Sequence, residues 1–255
     1  MSVSISTPRV ALVTGSGRKR IGFHVADALA ELGYRIAVHF RTSADDAAET
    51  VEHLSSRGAD ATAFQADLAV ESNVRDLIRD VRDHFGRLDV LVNCAAIYDS
   101  TPLEEVTAAD VRRHFEVNVL GTFLCAQHAG LAMVEQPEGG CIVNFGDWAT
   151  ARPYVDYAPY LVSKGAIPTL TRCLAIELGK RNPRVRVNCV LPGPLLFPAD
   201  MPSAEREQAI RSTIVQREGR PEDAAAAVRF LVENEFVTGV CLPVDGGRTI
   251  YSGES

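Results

Sequence analysis

Short apolar runs alternate with amphipathic stretches along almost the whole chain. Residues 9–15 (RVALVTG) are apolar over too short a span for a helix and end in glycine, which predicts a buried strand. Residues 21–33 carry Ile21, Val25, Leu29 and Leu32 at helical spacing, with Gly33 as a stop. Residues 35–40 (RIAVHF) read as a second strand, so the chain opens on a βαβ unit. The alternation continues with a helix over 43–58, a strand and loop over 61–68, a helix over 71–86 and a strongly apolar strand over 88–96. One long helix is predicted over 107–132, with Val111, Phe115, Val119, Phe123 and Ala126 on a face. A strand over 139–145, a helix over 156–180 and a strand over 185–193 follow. Residues 194–220 begin irregular and Pro-rich and end in a short polar helix; a helix over 221–234 and a strand over 239–247 complete the pattern.

Strands alternating with helices predict an α/β fold: a doubly wound parallel sheet of the Rossmann type, about seven strands, with helices on both faces. No composition break or linker divides the chain, so 1–255 reads as a single domain. Ligands in such sheets sit at the carboxyl ends of the strands, near the switch point. The chemistry is therefore expected just after strands one, two, four, five and six.

Composition narrows the classes. A net charge of -7 argues against a nucleic-acid surface and an anionic membrane. No apolar run approaches the roughly 20 residues of a membrane span, and the first residues do not resemble a signal peptide. The six cysteines lack C-x-x-C spacing and the six histidines lack ligand spacing, so neither a disulfide framework nor a metal site is expected. A reduced, cytoplasmic location fits.

Three stretches carry candidate chemistry. Tyr160 and Lys164 stand four apart on a predicted helix and so share a face; the ammonium would lower the phenol's pKa and make it a general acid/base. Asp147 lies thirteen residues before that tyrosine. The first strand–helix turn, TGSGRKRIG, places Gly15 and the cations Arg18, Lys19 and Arg20 at a helix start beside Ile21, where an anion would offset their repulsion with the dipole. The second strand ends in His39, Phe40, Arg41, Thr42 and Ser43, with no carboxylate before Asp45. A guanidinium with hydroxyl neighbours suits a 2′-phosphate, which favours NADP(H). Asp67 after the third strand could bond an adenine amino group or simply cap a loop.

With these residues placed, the chain resembles a short-chain dehydrogenase/reductase along essentially its whole length. The resemblance rests on the loop Thr14–Gly22, Asp67-Leu68, Asn93–Ala96, Asn118, the Tyr160/Lys164 pair, Pro192-Gly193 and Val244–Gly247. It implies that Asn93 and the Ala95 backbone line the ribose and nicotinamide, and that Leu68, Pro192 and Gly193 complete the cofactor site. It further implies that Lys164 holds the nicotinamide ribose and that Asn118 supports a water link to it. A homotetramer and a lid over 194–218 are family analogies.

The sequence departs from the family pattern at Asp147, where a serine is usual, at Cys94 and Ala96, and in the basic first loop. Asp147, the loop arginine and the absent acid after strand two together resemble the pteridine reductases. That subgroup implies that Arg20 contacts cofactor phosphate and pterin, that Tyr98 stacks on the pterin, and that Asp147 and Tyr160 contact the substrate. A carboxylate would repel a developing oxyanion but accept hydrogen bonds from ring N–H groups. Asp147 also fits a member with altered or lost activity. The expectation is an NADPH-dependent reductase of a C=N heterocycle. The alternatives are a reductase of a 3-oxoacyl or sugar carbonyl, and a non-catalytic NADP-binding protein.

Overall fold

The computed structural model describes residues 8–197 and 201–251. Its centre is a seven-stranded sheet: β1 (Val10–Thr14), β2 (Arg35–Phe40), β3 (Ala61–Gln65), β4 (Val90–Asn93), β5 (Gly140–Phe145), β6 (Val185–Pro192) and β7 (Cys241–Val244). The order is β3-β2-β1-β4-β5-β6-β7 and every pairing is parallel. The expected doubly wound fold is therefore present. The chain runs outward from β1 to β3, then returns to lay β4 against the other side of β1, so the switch point lies between these two strands.

The continuous apolar runs follow from burial on both faces. Val10 and Leu12 point into one core, shared with α3 (Glu71–Phe85), α5 (Gly121–Val134) and α6 (Ala158–Gly179). Ala11 and Val13 point into the other, shared with α1 (Ile21–Glu31), α2 (Ala44–Ser56) and α8 (Pro221–Glu233). The short α4 (Ala108–His114) and α7 (Ser203–Arg211) lie toward the strand ends. Residues 198–200 of the expected lid fall outside the described residues, and α7 accounts for much of the rest.

The long helix expected over 107–132 differs in an informative way. Between α4 and α5 the backbone makes a π-helical turn, Phe115–Leu120. The extra residue of a π-turn shifts the helical phase. Val111, Phe115 and Phe123 are thereby left partly exposed, whereas Ala126 is buried. By length and composition Ala108–Val134 does meet what a membrane span requires, contrary to the sequence expectation. Its inward side chains Leu124, Cys125, Ala129 and Met133 belong to the core, which accounts for its apolar character.

Beneath the first loop, His39 at the end of β2 is 3% exposed. Its Nδ1 accepts the Gly15 N–H at 3.0 Å, and its Nε2–H donates to the Ala66 carbonyl at 3.1 Å. The His39 carbonyl also accepts the N–H groups of Ser16 and Gly17, at 3.2 and 3.3 Å. This histidine thus moors the loop from below, and burial pushes its pKa down to about 4. The neutral ring is favoured in the folded state, so its contribution is whole above pH 6.5 and lost as pH falls toward 4. We expect wild-type stability to lose about 3 kcal/mol through this group over that window. In H39Q this component should vanish from urea-unfolding free energies measured against pH; parallel profiles for the two proteins would refute it.

Candidate active site

The strand ends carry the site. Gly15 follows β1 at φ +66, and a Cβ there would lie 2.9 Å from Ala95 Cα after β4. Only glycine lets the two crossing turns approach so closely. The Thr14 hydroxyl accepts the Ala95 N–H at 3.1 Å, tying the same two strand ends. Across the sheet Asn93 Nδ2 donates to Asn144 Oδ1 at 2.9 Å, and Asn144 Nδ2 donates to Thr171 Oγ1 at 3.0 Å. This chain fixes β4, β5 and α6 relative to one another. Asn93 Oδ1 is buried without a protein partner among the described residues.

Asp147 begins the turn after β5, and Tyr160 and Lys164 project from α6; all three are at least nine-tenths buried. The Tyr160 hydroxyl donates to Asp147 Oδ2 at 2.6 Å. Asp147 Oδ1 accepts the Ala149 N–H at 2.8 Å, so the carboxylate also caps the turn that follows it. Lys164 Nζ donates to the Phe145 carbonyl at 2.8 Å and stands 6.0 Å from the Tyr160 ring centroid.

The electrostatics reverse one expectation. Lys164 was expected to lower the Tyr160 pKa. Instead burial pushes the phenol well above 10, and the adjacent Asp147 charge pushes it further. Burial also raises the Asp147 carboxyl, opposed by the bonds from Tyr160 and Ala149 and by the charges of Lys164 and Arg248. The Lys164 ammonium is lowered by burial, with Asp147 acting the other way. At neutral pH the phenol holds its proton and offers it to Asp147.

Four other expected site residues have protein partners in this structure. Asn118 lies in the π-turn with its side chain committed to protein. Its Oδ1 accepts the Ile97 N–H at 2.9 Å, and its Nδ2 donates to the Ile97 carbonyl at 3.1 Å and to Ser163 Oγ at 3.0 Å. These bonds join the loop after β4 to the turn of α6 that bears Lys164. His39, expected among the cofactor contacts, has both ring nitrogens engaged beneath the loop. Arg18 is drawn to Asp46 at 2.9 Å on the exposed surface. Asp67 Oδ1 accepts the Ala69 N–H at 3.0 Å, which is the loop-capping alternative.

The remaining expected residues gather at the strand ends. Arg20 precedes α1 without a side-chain cap; its carbonyl accepts the N–H groups of Phe23 and His24, at 3.0 and 3.4 Å, and those of Ile21 and Gly22 are left open. Arg41 and Thr42 are exposed past β2, with Phe40 packed beneath and Ser43 opening α2. Leu68 is buried in the core and touches Gly121. At Pro192-Gly193 a Cβ on the glycine would fall 2.5 Å from Asp245 Cα, so this turn packs against the one after β7.

Tyr98, expected as a stacking residue, belongs to a larger aromatic wall in which Tyr154 and Tyr157 were not foreseen. Tyr98 stacks on Tyr157 at 4.5 Å, meets the edge of Tyr160 at 4.8 Å, and contacts the Tyr154 hydroxyl at 3.2 Å. Trp148 lies 6.4 Å from Tyr154, and the Arg248 guanidinium lies over the Trp148 ring at 4.4 Å. The three-residue spacing of Tyr154, Tyr157 and Tyr160 was the available signal. Nothing local foretold Arg248, which the Arg152 side chain brings near by holding the Arg248 and Tyr251 carbonyls.

The family model described as "Enoyl-(Acyl carrier protein) reductase" matches residues 16–249. Versicolorin reductase 1 of Aspergillus parasiticus is 35% identical, over 94% of this chain and 95% of its own. Glucose 1-dehydrogenase 2 of Bacillus subtilis is 31% identical, over 97% of each chain. The crystal structure of acetoin dehydrogenase from Enterobacter cloacae superposes with a TM-score of 0.87 at 32% identity, over 98% of this chain and 99% of the other. With this sheet order and a Tyr160/Lys164 helix after β5, the chain belongs to the short-chain dehydrogenase/reductase family, oxidoreductases that use a nicotinamide cofactor.

Proposed function

We propose that the protein is an NADPH-dependent reductase acting on the C=N bond of a flat heterocycle such as a pterin. The observation that carries this reading is the Asp147–Tyr160 hydrogen bond of 2.6 Å, set against an aromatic wall. Asp147 would accept ring N–H groups of the substrate, and Tyr160 would pass its proton to the reduced nitrogen while Asp147 holds the phenol in line. Tyr98, with one face against Tyr157, would bound the flat substrate rather than sandwich it alone.

The residues suit a bound dinucleotide. The cramped approach of Gly15 to Ala95, the open N–H groups of α1 and the unpartnered Asn93 Oδ1 all support a polar ligand over the switch point. Once bound, the nicotinamide supplies hydride. Lys164, kept in place by the Phe145 carbonyl, would hold the ribose. Arg41, Thr42 and Ser43 would bind the 2′-phosphate, and Arg20 a diphosphate oxygen. Arg18 would first have to leave Asp46; an exposed pair of this kind is worth roughly 0–1 kcal/mol and is no barrier. Residues 194–218 would close over the substrate, and a cytoplasmic homotetramer is the assembly in keeping with the family.

A second reading, reduction of a carbonyl on a flat ring, has one observation in its favour. Burial raises the Asp147 carboxyl, and in its acid form the group would donate to a carbonyl oxygen as a serine does.

Three outcomes test the proposal. NADPH should bind at least about tenfold tighter than NADH, roughly 1.4 kcal/mol, and R41A should erase the difference; equal affinities in wild type would defeat the 2′-phosphate assignment. Y160F should lower turnover by roughly 10²–10⁴-fold with cofactor affinity unchanged, and a rate near wild type would remove Tyr160 from proton transfer. D147S should lose dihydropterin reduction and gain turnover of ketones. If it keeps the pterin rate, the heterocycle assignment fails. If wild type already prefers ketones in a substrate panel, the second reading replaces the first.

A further inference from the structure

Cys189 and Cys241 stand directly opposite each other on the parallel strands β6 and β7. Side chains paired in register point to the same face of a sheet, and neighbouring strands run about 4.8 Å apart. That spacing lies within the roughly 4.4–6.8 Å between Cα atoms that a disulfide spans. The Cys189 thiol donates to the Val190 carbonyl at 3.4 Å, and the titration of each cysteine is shifted by the other. Their surroundings differ. Cys189 is buried, whereas Cys241 is half-buried on the last strand of the sheet order. The neighbouring Cys189 thiol and the Arg172 charge lower the Cys241 thiol below the usual thiol range, toward the nucleophilic thiolate.

The pair also lies under the catalytic turn. Cys189 is in register with Asn144 of the Asn93–Asn144–Thr171 chain. A Cβ on Gly146, the residue before Asp147, would lie 3.3 Å from Cys189 Sγ. A movement of the Cys189 sulfur toward β7 would thus alter the packing beneath Gly146 and the turn that Asp147 begins.

We propose that Cys189 and Cys241 form a reversible disulfide that weakens cofactor binding in the site above. With hydrogen peroxide as oxidant, the Cys241 thiolate attacks one oxygen, the O–O bond breaks and hydroxide leaves, giving a sulfenic acid. The Cys189 sulfur then attacks that sulfenic sulfur; the S–O bond breaks, and the hydroxyl leaves as water with the Cys189 proton. Two thiols lose two hydrogens in all, and the peroxide becomes two waters. Bridging adjacent parallel strands draws the two Cβ atoms closer than the sheet holds them, and a strained bridge of this kind is readily reduced by dithiols.

The proposal needs only the family's cofactor and not the pterin reading, so its test avoids the substrate. The full chain, with the exposed Cys173 replaced (C173S), is treated with hydrogen peroxide, alkylated and mapped without reduction by mass spectrometry. NADPH and NADH affinities are measured by fluorescence on the same samples, and the tighter cofactor is followed. The expected result is a peptide pair joined through Cys189 and Cys241, two hydrogens lighter than the separate peptides. Cofactor affinity should fall about fivefold or more, and dithiothreitol should reverse both changes. Adding C241S should abolish the linkage and the loss of affinity while leaving the reduced protein's affinity unchanged. The proposal is overturned if no linked peptide forms, if the linkage forms with affinity intact, or if the loss persists in C241S.

Discussion

A buried ammonium is the constraint around which the site is organised. Lys164 is 5% exposed, and its one protein hydrogen bond among the described residues goes to the Phe145 carbonyl. Removing a cation from water is costly unless a counter-charge and acceptors are supplied. Asp147 is that counter-charge, and it opposes the downward pull of burial on the lysine. A carboxylate in this position makes the set near-neutral with the phenol protonated. With serine, the usual family residue, the same lysine would lack that charge and would bear more directly on the phenol. One residue thereby reinforces the effect of burial on the phenol and opposes it on the lysine.

The precision of this arrangement comes from the strand ends and not from the helix alone. Asn93, Asn144 and Thr171 link two strands to α6 through paired amides and a hydroxyl. Asn118 joins the loop after β4 to the same helix. The π-turn that holds Asn118 disturbs the regular phase of its helix, a local conflict of the type found at functional positions. The cofactor side has its own mooring in the neutral His39 ring under the first loop. Each device fixes backbone, so the loops on top carry fewer of their own constraints.

The fold was legible because parallel strands buried on both faces leave unbroken apolar runs such as Val10–Val13 and Val90–Val92. The glycines at the predicted strand ends, and the Tyr160/Lys164 pair on the helix after β5, were legible for the same reason. What sequence left hidden depended on distances between remote segments. A histidine in HFRTS looks like a ligand-facing residue until its ring is found against Gly15 and Ala66, in other elements of the fold. Four-residue spacing placed Tyr160 and Lys164 on one face, but it carried no information on which neighbour governs the phenol. The nearest charge proved to be Asp147, thirteen residues away in sequence and 2.6 Å away in space. The same limit applied to the inward face assigned to Val111, Phe115 and Phe123, since no periodicity rule anticipates an inserted π-turn residue.

Asp147 and the aromatic wall constrain the substrate jointly. A carboxylate alone would fit any ligand offering N–H donors, including a flexible amine. Stacked rings alone would fit any flat apolar molecule. Tyr98 has one face committed to Tyr157 and its edge contact with Tyr160 places it beside the proton donor. On the heterocycle reading, a ligand lying against that wall would be flat where it meets the tyrosines and would present donors on the edge that reaches Asp147. Those donors must also lie near the bond being reduced, because the carboxylate and the phenol are only one hydrogen bond apart. A ring in which an N–H group stands close to a reducible C=N bond meets all three requirements. A ketone offers no such donor and would engage Asp147 only if the carboxyl carries a proton, which links the choice between the two readings to the protonation of a single carboxyl group.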